Sequence, residues 1–247
     1  MADDRARRVL VTGGARGLGE AIVRRLAREG YQVHFTFAHS ADRAEALARE
    51  IGATSQQCDL ADAKAVDALA ATLEAGPTLY GLVHNAGTTY DSLAAMIEQD
   101  LGLRLMQVNF WSFLRLVKAV IRPMTHTRAG RIVAIGSVTA ERASQGNALY
   151  AASKAALRGF ITTLAVEVAR RGVTANIIAP GYMDTDMMAP YAQKRAEIER
   201  QIPAARFGKP EEIGALVAFL LSPDAGYITG SSLTIDGGLS SAIAIQR

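Results

Sequence analysis

From Arg8 to Ile235 the chain alternates short β-rich runs with longer helical ones, and this alternation limits the fold more than any other feature. Residues 8–12, 32–37, 55–58, 79–84, 131–135, 173–178 and 233–235 read as strands. Helical patterns fall between them, at 18–29, 42–50, 62–73, 100–122, 149–170 and from Pro210 onward. In the first helix Leu18, Ile22 and Leu26 recur every four residues, and Gly30 stops it. The 100–122 helix is expected to end before Pro123, and 184–202 reads as irregular or weakly helical. Strands separated by helices imply a parallel sheet covered on both faces. The expected architecture is α/β: one doubly wound, Rossmann-type domain spanning 1–247, with seven mainly parallel strands. No linker, low-complexity tract or repeat divides it.

The turn between the first strand and the first helix reads Thr12-Gly13-Gly14-Ala15-Arg16-Gly17-Leu18-Gly19. Glycines there permit a tight turn, close approach of backbone to a pyrophosphate, and packing of helix on strand. The helix N-terminus then offers free N–H groups to phosphate. The spacing, Gly13, Gly17 and Gly19, is a variant of the commoner dinucleotide pattern, and no Lys-Ser/Thr follows it as an ATP-type loop requires. An acid ending the second strand would hold a ribose 2′-hydroxyl and favour NAD. The strand ends His34-Phe35-Thr36-Phe37 instead. Arg16, with Ser40 and Arg43 beyond the strand, is placed to meet a 2′-phosphate, so NADPH/NADP+ is the expected cofactor.

Tyr150 and Lys154 lie four apart at the start of the 149–170 helix and therefore share a face. Reducing a carbonyl by hydride also requires a proton on its oxygen. A tyrosine is a slow acid at neutral pH, and a nearby ammonium is expected to lower its pKa. Ser137 follows the fifth strand, at the carboxyl end of the sheet where such folds bind ligands, and its hydroxyl can hydrogen-bond a substrate oxygen.

Composition narrows the function by exclusion. The net charge is +3 and the cationic residues are dispersed rather than blocked, which argues against a nucleic-acid partner. The single cysteine, Cys58, forms no internal disulfide, and the four histidines show no metal-ligand spacing, so no metal is expected. The first residues carry Asp3 and Asp4 and no apolar run of a signal peptide. No apolar stretch approaches the ~18 residues of a membrane span, and the cytoplasm is the expected location.

Taken together, these motifs resemble the short-chain dehydrogenase/reductase superfamily, and within it the 3-oxoacyl-(acyl carrier protein) reductases. The resemblance runs from about Arg8 to Gly238 and is carried in order by the Thr12–Gly19 loop, Asp59-Leu60, Asn85-Ala86-Gly87, Asn109, Ser137, Tyr150-x-x-x-Lys154, Pro180-Gly181 and Asp236-Gly237-Gly238. It implies a catalytic tetrad of Asn109, Ser137, Tyr150 and Lys154. Tyr150 would give the proton, Ser137 would orient the carbonyl, and Lys154 would hold the nicotinamide ribose. Asn109 would bind a water through its backbone and link Lys154 to a proton relay. Gly13, Ala15, Arg16, Gly17, Leu18 and Gly19 would cradle the cofactor. Asp59 would meet the adenine, Leu60 would add a backbone contact, and Asn85, Ala86 and Gly87 would line the cofactor. Pro180, Gly181, Met183 and Thr185 would cover the nicotinamide, and Asn147 would sit near the substrate.

The same resemblance points to an acidic acyl carrier protein as partner, docking on Arg128 and Arg171, and to a homotetramer built on the fourth and fifth helices and the last strand. The tail from Leu239, with Ile243 and Ile245, is apolar enough to join such an interface. There are departures. Thr88-Thr89-Tyr90-Asp91 follows the Asn85 motif, Phe110 and Trp111 replace smaller residues, and Glu141 and Arg142 occupy a loop that is usually apolar. Trp111 is expected in the core or at a subunit interface. Two other readings stay open: a dehydrogenase acting on another secondary alcohol or ketone (a sugar, sterol or xenobiotic), and a non-catalytic dinucleotide-binding sensor.

Overall fold

The computed structural model describes residues 7–242; Asp3, Asp4, Ile243 and Ile245 lie outside them. Seven strands, β1 (Arg8–Thr12), β2 (Gln32–Phe37), β3 (Thr54–Gln57), β4 (Gly81–His84), β5 (Gly130–Ile135), β6 (Val173–Pro180) and β7 (Ser232–Ile235), form one sheet. Its order is β3-β2-β1-β4-β5-β6-β7, and every pairing is parallel. The winding reverses between β1 and β4, where Thr12 pairs with His84. That reversal leaves a crevice beyond the carboxyl ends of the two strands, the usual ligand position in open α/β sheets.

The described residues form eight α-helices, most of them packed on the two faces of the sheet: α1 (Gly17–Arg28), α2 (Ala41–Ile51), α3 (Ala63–Ala75), α4 (Gln99–Met106), α5 (Ser112–Thr127), α6 (Ala148–Val168), α7 (Arg195–Gln201) and α8 (Pro210–Leu221). Alternate strand residues face opposite layers. Leu10, Leu82, Ile132 and Ala175 meet Phe113, Leu116, Leu157 and Ile161 of α5 and α6. Val9, Val11, Val83 and Val133 meet Ile22, Leu26, Ile213 and Val217 of α1 and α8. The strands β5 and β6 are buried along their whole length, as expected for a sheet covered on both sides.

Two local features differ from the sequence expectations. The helix expected over 100–122 is two helices joined by a π-helical turn at Gln107–Trp111. This widened turn interrupts the regular ladder, a device common at functional sites, and it holds the fully buried Asn109. The second difference is that α5 does not stop before Pro123 but continues through it to Thr127. The proline forfeits one ladder bond, yet Met124 beside it is fully buried, and Arg128 in the left-handed region (φ 54°) closes the helix. Trp111, expected in the core or at a subunit interface, is half exposed and stacks edge-on against Phe110, which places it outside the core. The 184–202 stretch, expected to be irregular or weakly helical, forms 3-10 turns at Asp186–Lys194 followed by α7. It is anchored by a small separate core of Ile198, Ile202 and Phe207.

Phe113 locks α5 to the sheet and to α6. Its ring lies 4.9 Å from His84 and 5.7 Å from Phe160. Phe113→Ala is therefore expected to cost about 3–5 kcal/mol in urea unfolding. A loss below about 1 kcal/mol would mean that the layer collapses into the gap.

Candidate active site

The glycine loop is shaped by its backbone. Gly13 (φ +67°) and Gly17 (φ +55°) occupy the left-handed region, which side chains disfavour. No side chain caps the N-terminus of α1, so its first N–H groups are available to an anion. The loop is held from β4. Asn85 Nδ2 donates to the carbonyls of Thr12 (3.1 Å) and Gly13 (3.0 Å). In return Thr12 Oγ1 accepts from the backbone N–H groups of Asn85 and Ala86, both at 3.1 Å. Across the crevice, Thr185 faces Gly17, and a Cβ on that glycine would stand 3.6 Å from the threonine methyl. The loop after β6 thus meets the glycine loop, and Met183 beside it is buried.

Asn109, Ser137, Tyr150 and Lys154 converge beside this crevice. The Asn109 side chain ties three elements together. Its Oδ1 accepts from Thr88 N (2.9 Å), and its Nδ2 donates to Thr88 O (3.0 Å) and to Ser153 Oγ (3.0 Å). Ser153 in turn donates to the Tyr150 carbonyl (2.7 Å). Ser137 Oγ accepts from the N–H (3.2 Å) and hydroxyl (2.9 Å) of Thr139. Its own hydrogen is left to donate, and the Ser137 hydroxyl acts on the Tyr150 phenol in the direction that favours the phenolate. Lys154 is buried, lies 5.5 Å from the centroid of the Tyr150 ring, and donates to the Ile135 carbonyl (2.9 Å). Gly87 makes room here, because a Cβ would approach Lys154 Nζ to 3.3 Å and Asn109 Oδ1 to 3.5 Å.

The electrostatics correct one expectation. Burial pushes the Tyr150 phenol above its ordinary pKa; the Ser137 hydrogen bond opposes this and Asp91 adds to it. The expected lowering by Lys154 does not prevail, because that ammonium is itself desolvated and turned toward Ile135 O. Burial lowers the Lys154 pKa to about 8.

The mouth of the site contains residues that the motifs did not single out. Asp91 accepts from Asn147 Nδ2 (2.9 Å) and from the Tyr191 hydroxyl (2.7 Å). It thereby joins the loop after β4, the start of α6 and the segment after β6. The hydrogen bond to Asp91, more than burial, raises the Tyr191 pKa to about 12. Asn147 Oδ1 is buried with no hydrogen-bond partner among the described residues, so the residue expected near substrate has an acceptor to offer. Asp59 uses one carboxylate oxygen locally, on the N–H of Ala61 (2.9 Å). Leu60 is buried in the core, and its carbonyl accepts from Gln107. Pro180 ends β6, and Gly181 N continues the ladder to Ile235 O (3.0 Å). Glu141 pairs with Arg158 at 3.3 Å, and Arg142 donates to the Ser240 carbonyl. Arg128 and Arg171 do not join this cluster; they precede β5 and β6, at the opposite end of the sheet.

A dinucleotide fits these residues. The uncapped helix end and the side-chain-free loop suit a pyrophosphate, and the buried Lys154 and the Thr185 loop suit the nicotinamide half.

The same conclusion follows from comparison with known proteins. Residues 13–240 match the family model described as enoyl-(acyl carrier protein) reductase. The chain is 41% identical over 235 residues to the 3-oxoacyl-[acyl-carrier-protein] reductase of Vibrio cholerae, covering 93% of this chain and 96% of that one. Among solved structures, a short-chain dehydrogenase/reductase from Serratia marcescens superposes with a TM-score of 0.87 at 39% identity, covering 95% and 98% of the two chains. An actinorhodin polyketide ketoreductase variant with NADPH gives 0.90 at 29% identity, covering 98% and 100%. The chain belongs to the short-chain dehydrogenase/reductase family. It is an oxidoreductase of that family's Rossmann fold and takes a nicotinamide dinucleotide.

Keeping an ammonium buried at neutral pH destabilises the folded state. The unfolded lysine keeps its proton up to about 10.5 and the folded one only to about 8. The penalty is therefore full below pH 8 and is relieved as pH rises from about 8 to about 10.5. Lys154→Met is expected to raise the thermal midpoint of the cofactor-free protein at pH 7, with a stability gain on the order of 3 kcal/mol, while turnover is lost. An unchanged or lower midpoint would mean that the Ile135 hydrogen bond outweighs the desolvation.

Proposed function

We propose that the chain reduces the 3-oxo group of an acyl thioester, borne by acyl carrier protein, to the 3-hydroxy group, with NADPH as reductant, in fatty-acid or related lipid or polyketide synthesis. The carrying observation is the Ser137–Tyr150–Lys154 arrangement, in which a free hydroxyl hydrogen and a phenol face one point beside a buried lysine. The 41% identity to a 3-oxoacyl-[acyl-carrier-protein] reductase supports the choice of substrate.

When bound, the nicotinamide supplies a hydride to the carbonyl carbon. The chain's own residues manage the oxygen. Ser137 donates its hydroxyl hydrogen to the carbonyl oxygen in place of the phenol, which fixes and polarises it. Tyr150 then gives that oxygen the phenol proton. The Lys154 ammonium near the ring favours the phenolate that remains. Asn109 acts from behind by clamping the Thr88 loop and α6 together.

The residues just past β2 favour NADPH over NADH. Ala38, His39 and Ser40 offer no carboxylate to a ribose 2′-hydroxyl. Arg16 is exposed at the loop and forms no ion pair among the described residues, whereas Arg43 is held by Glu20 at 2.7 Å.

The carrier would meet a basic patch. Arg128 donates to the Arg170 carbonyl (3.0 Å), and Arg171 lines a surface hollow with Arg122 and His126. These four arginines form no ion pair among the described residues. The patch precedes strands β5 and β6 and Ser137 follows β5, so about 20 Å of strand separates patch from site. A carrier docked there would serve the site of an adjoining subunit. The reading includes a homotetramer, for which exposed Leu101, Leu103 and Trp111 on α4 and the π turn offer apolar surface. It also places the enzyme in the cytoplasm; no helix among the described residues is long and apolar enough to cross a membrane.

Purified protein with NADPH is expected to oxidise the cofactor on acetoacetyl-carrier thioester and to leave crotonyl thioester unreduced. Turnover confined to the enoyl thioester, or to ketones unrelated to thioesters, would defeat the substrate reading. Tyr150→Phe should lower turnover by about 10²–10⁴-fold with cofactor affinity retained. Joint Arg128→Glu and Arg171→Glu changes should cut activity on the carrier thioester about tenfold or more, in a salt-sensitive manner. Coenzyme A thioesters should be unaffected, and equal loss on both substrates would sink the docking assignment.

A further inference from the structure

The crevice holds one buried titratable group that the chemistry above does not use. His84 closes β4, is fully buried, and stacks on Phe113 with ring centroids 4.9 Å apart. Its Nδ1 lies 3.2 Å from Thr12 Oγ1, and its Nε2 lies 3.3 Å from the Asn109 carbonyl oxygen.

The surrounding bonds fix which nitrogen carries the proton. Thr12 Oγ1 already accepts two backbone N–H groups, from Asn85 and Ala86. A hydroxyl oxygen has two lone pairs and one hydrogen, so Thr12 has only its hydrogen to offer His84. Nδ1 must therefore accept, and the ring hydrogen sits on Nε2, donated to the Asn109 carbonyl. An imidazolium is excluded on the same ground, because its Nδ1–H would face a group with no lone pair left. The only charged side chain that acts on the ring among the described residues, Lys154 from α6, also opposes a second positive charge. From β1 the ring faces neutral Thr12, and from α5 neutral Phe113. Burial, reinforced by Lys154, lowers the His84 pKa to about 3, so the ring stays neutral and is no proton shuttle at working pH.

We propose that His84 is a positioning residue of the reaction: a fixed Nε2–H donor that anchors the backbone of the π turn at Asn109 and couples it to the glycine loop through Thr12. The Asn109 side chain spends its hydrogen bonds on Thr88 and Ser153. Its main chain is held from the sheet by His84 alone among the described side chains. A π turn lacks the regular ladder that keeps an α-helix in register, so an external donor here sets where Asn109, and through Ser153 the start of α6, comes to rest. One relay, from the N–H groups of Asn85 and Ala86 through Thr12 and His84 to Asn109, links the cofactor loop to the residues around the reacting oxygen.

The proposal rests on the reductase reading, and its test has an arm that does not. In ¹⁵N-labelled wild-type protein the His84 ring should show a protonated Nε2 and a bare Nδ1 from about pH 5 to about pH 9. The opposite tautomer or an imidazolium in that window overturns the proposal. In steady-state assays His84→Phe keeps the ring stack but loses the donor. It should lower kcat about tenfold or more, with KM for NADPH within about twofold. His84→Gln, whose amide N–H reaches the Nε2 position, should restore kcat to within about threefold of wild type. Unchanged kcat in His84→Phe overturns the proposal. So does a His84→Gln variant as slow as His84→Phe at equal melting temperature. If wild type reduces no acetoacetyl thioester, the substrate reading falls, and the ring tautomer and turnover of any other ketone still decide the role of His84.

Discussion

The site depends on the junction where β1 and β4 end side by side. Thr12 and His84 are register partners, and the next residues of both strands turn outward into the crevice. Five hydrogen bonds cross this point: Thr12 Oγ1 to Asn85 N, to Ala86 N and to His84 Nδ1, and Asn85 Nδ2 to the carbonyls of Thr12 and Gly13. Each group is buried or partly buried, so an unmade bond would cost about 1–3 kcal/mol in desolvation. The parallel sheet brings the two strand ends together without choosing a loop conformation. The junction makes that choice, and the positive φ angles of Gly13 and Gly17 follow from it.

From the junction, order passes to the chemistry through polar groups in a dry setting. Asn109, Ser153 and Lys154 are almost wholly buried; Asn109 donates to Ser153, Ser153 donates to the Tyr150 carbonyl, and Lys154 donates to the carbonyl of Ile135, two residues before Ser137. In such surroundings a satisfied network is rigid, and a missing member is expensive. The opposing pKa movements belong to the same design. Burial raises the Tyr150 phenol and lowers Lys154 to about 8, which brings donor and base character closer to neutral conditions on the lysine while keeping the phenol protonated. A protonated phenol is the form a reductase requires. The stability lost by burying Lys154 is the counterpart of that poise.

Much of this was legible in the sequence, and the exceptions have a common cause. Strands announced themselves as short β-rich runs, the first helix through apolar residues every four positions, and the glycine loop through its place between the first strand and the first helix. The resemblance named Asn109, Ser137, Tyr150 and Lys154 as a set; the four-residue spacing by itself put Tyr150 and Lys154 on one helix face and no more. Pro123 misled because local chemistry ends helices at proline, whereas buried Met124 and the left-handed Arg128 carry this one past it. The π turn left no local mark, since Phe110 and Trp111 read as ordinary helical residues. The Tyr191–Asp91–Asn147 contact joins positions 56 and 100 residues apart, beyond the reach of any periodicity. His84 did leave a signal, a titratable ring ending an otherwise apolar buried strand just before Asn85-Ala86-Gly87. Its meaning depended on Thr12, 72 residues earlier.

The geometry also separates two kinds of specificity that the sequence motifs run together. In the proposed function, discrimination at the carbonyl would lie at the carboxyl ends of the strands, with Ser137, Tyr150 and the Asp91-centred mouth, where Asn147 Oδ1 is a buried acceptor with no partner among the described residues. A polar group on the substrate near the reacting ketone would have a partner there, and a purely hydrocarbon one would leave it unpaired, at a cost. In the function proposed above, recognition of a carrier would fall to Arg128 and Arg171 at the amino ends of β5 and β6, which do not join the Asn109–Ser137–Tyr150–Lys154 cluster. Charges there steer encounters and leave the barrier alone. On that proposal, a change at the Asp91-centred mouth would alter ketone preference without touching the carrier patch, because the two lie at opposite ends of β5.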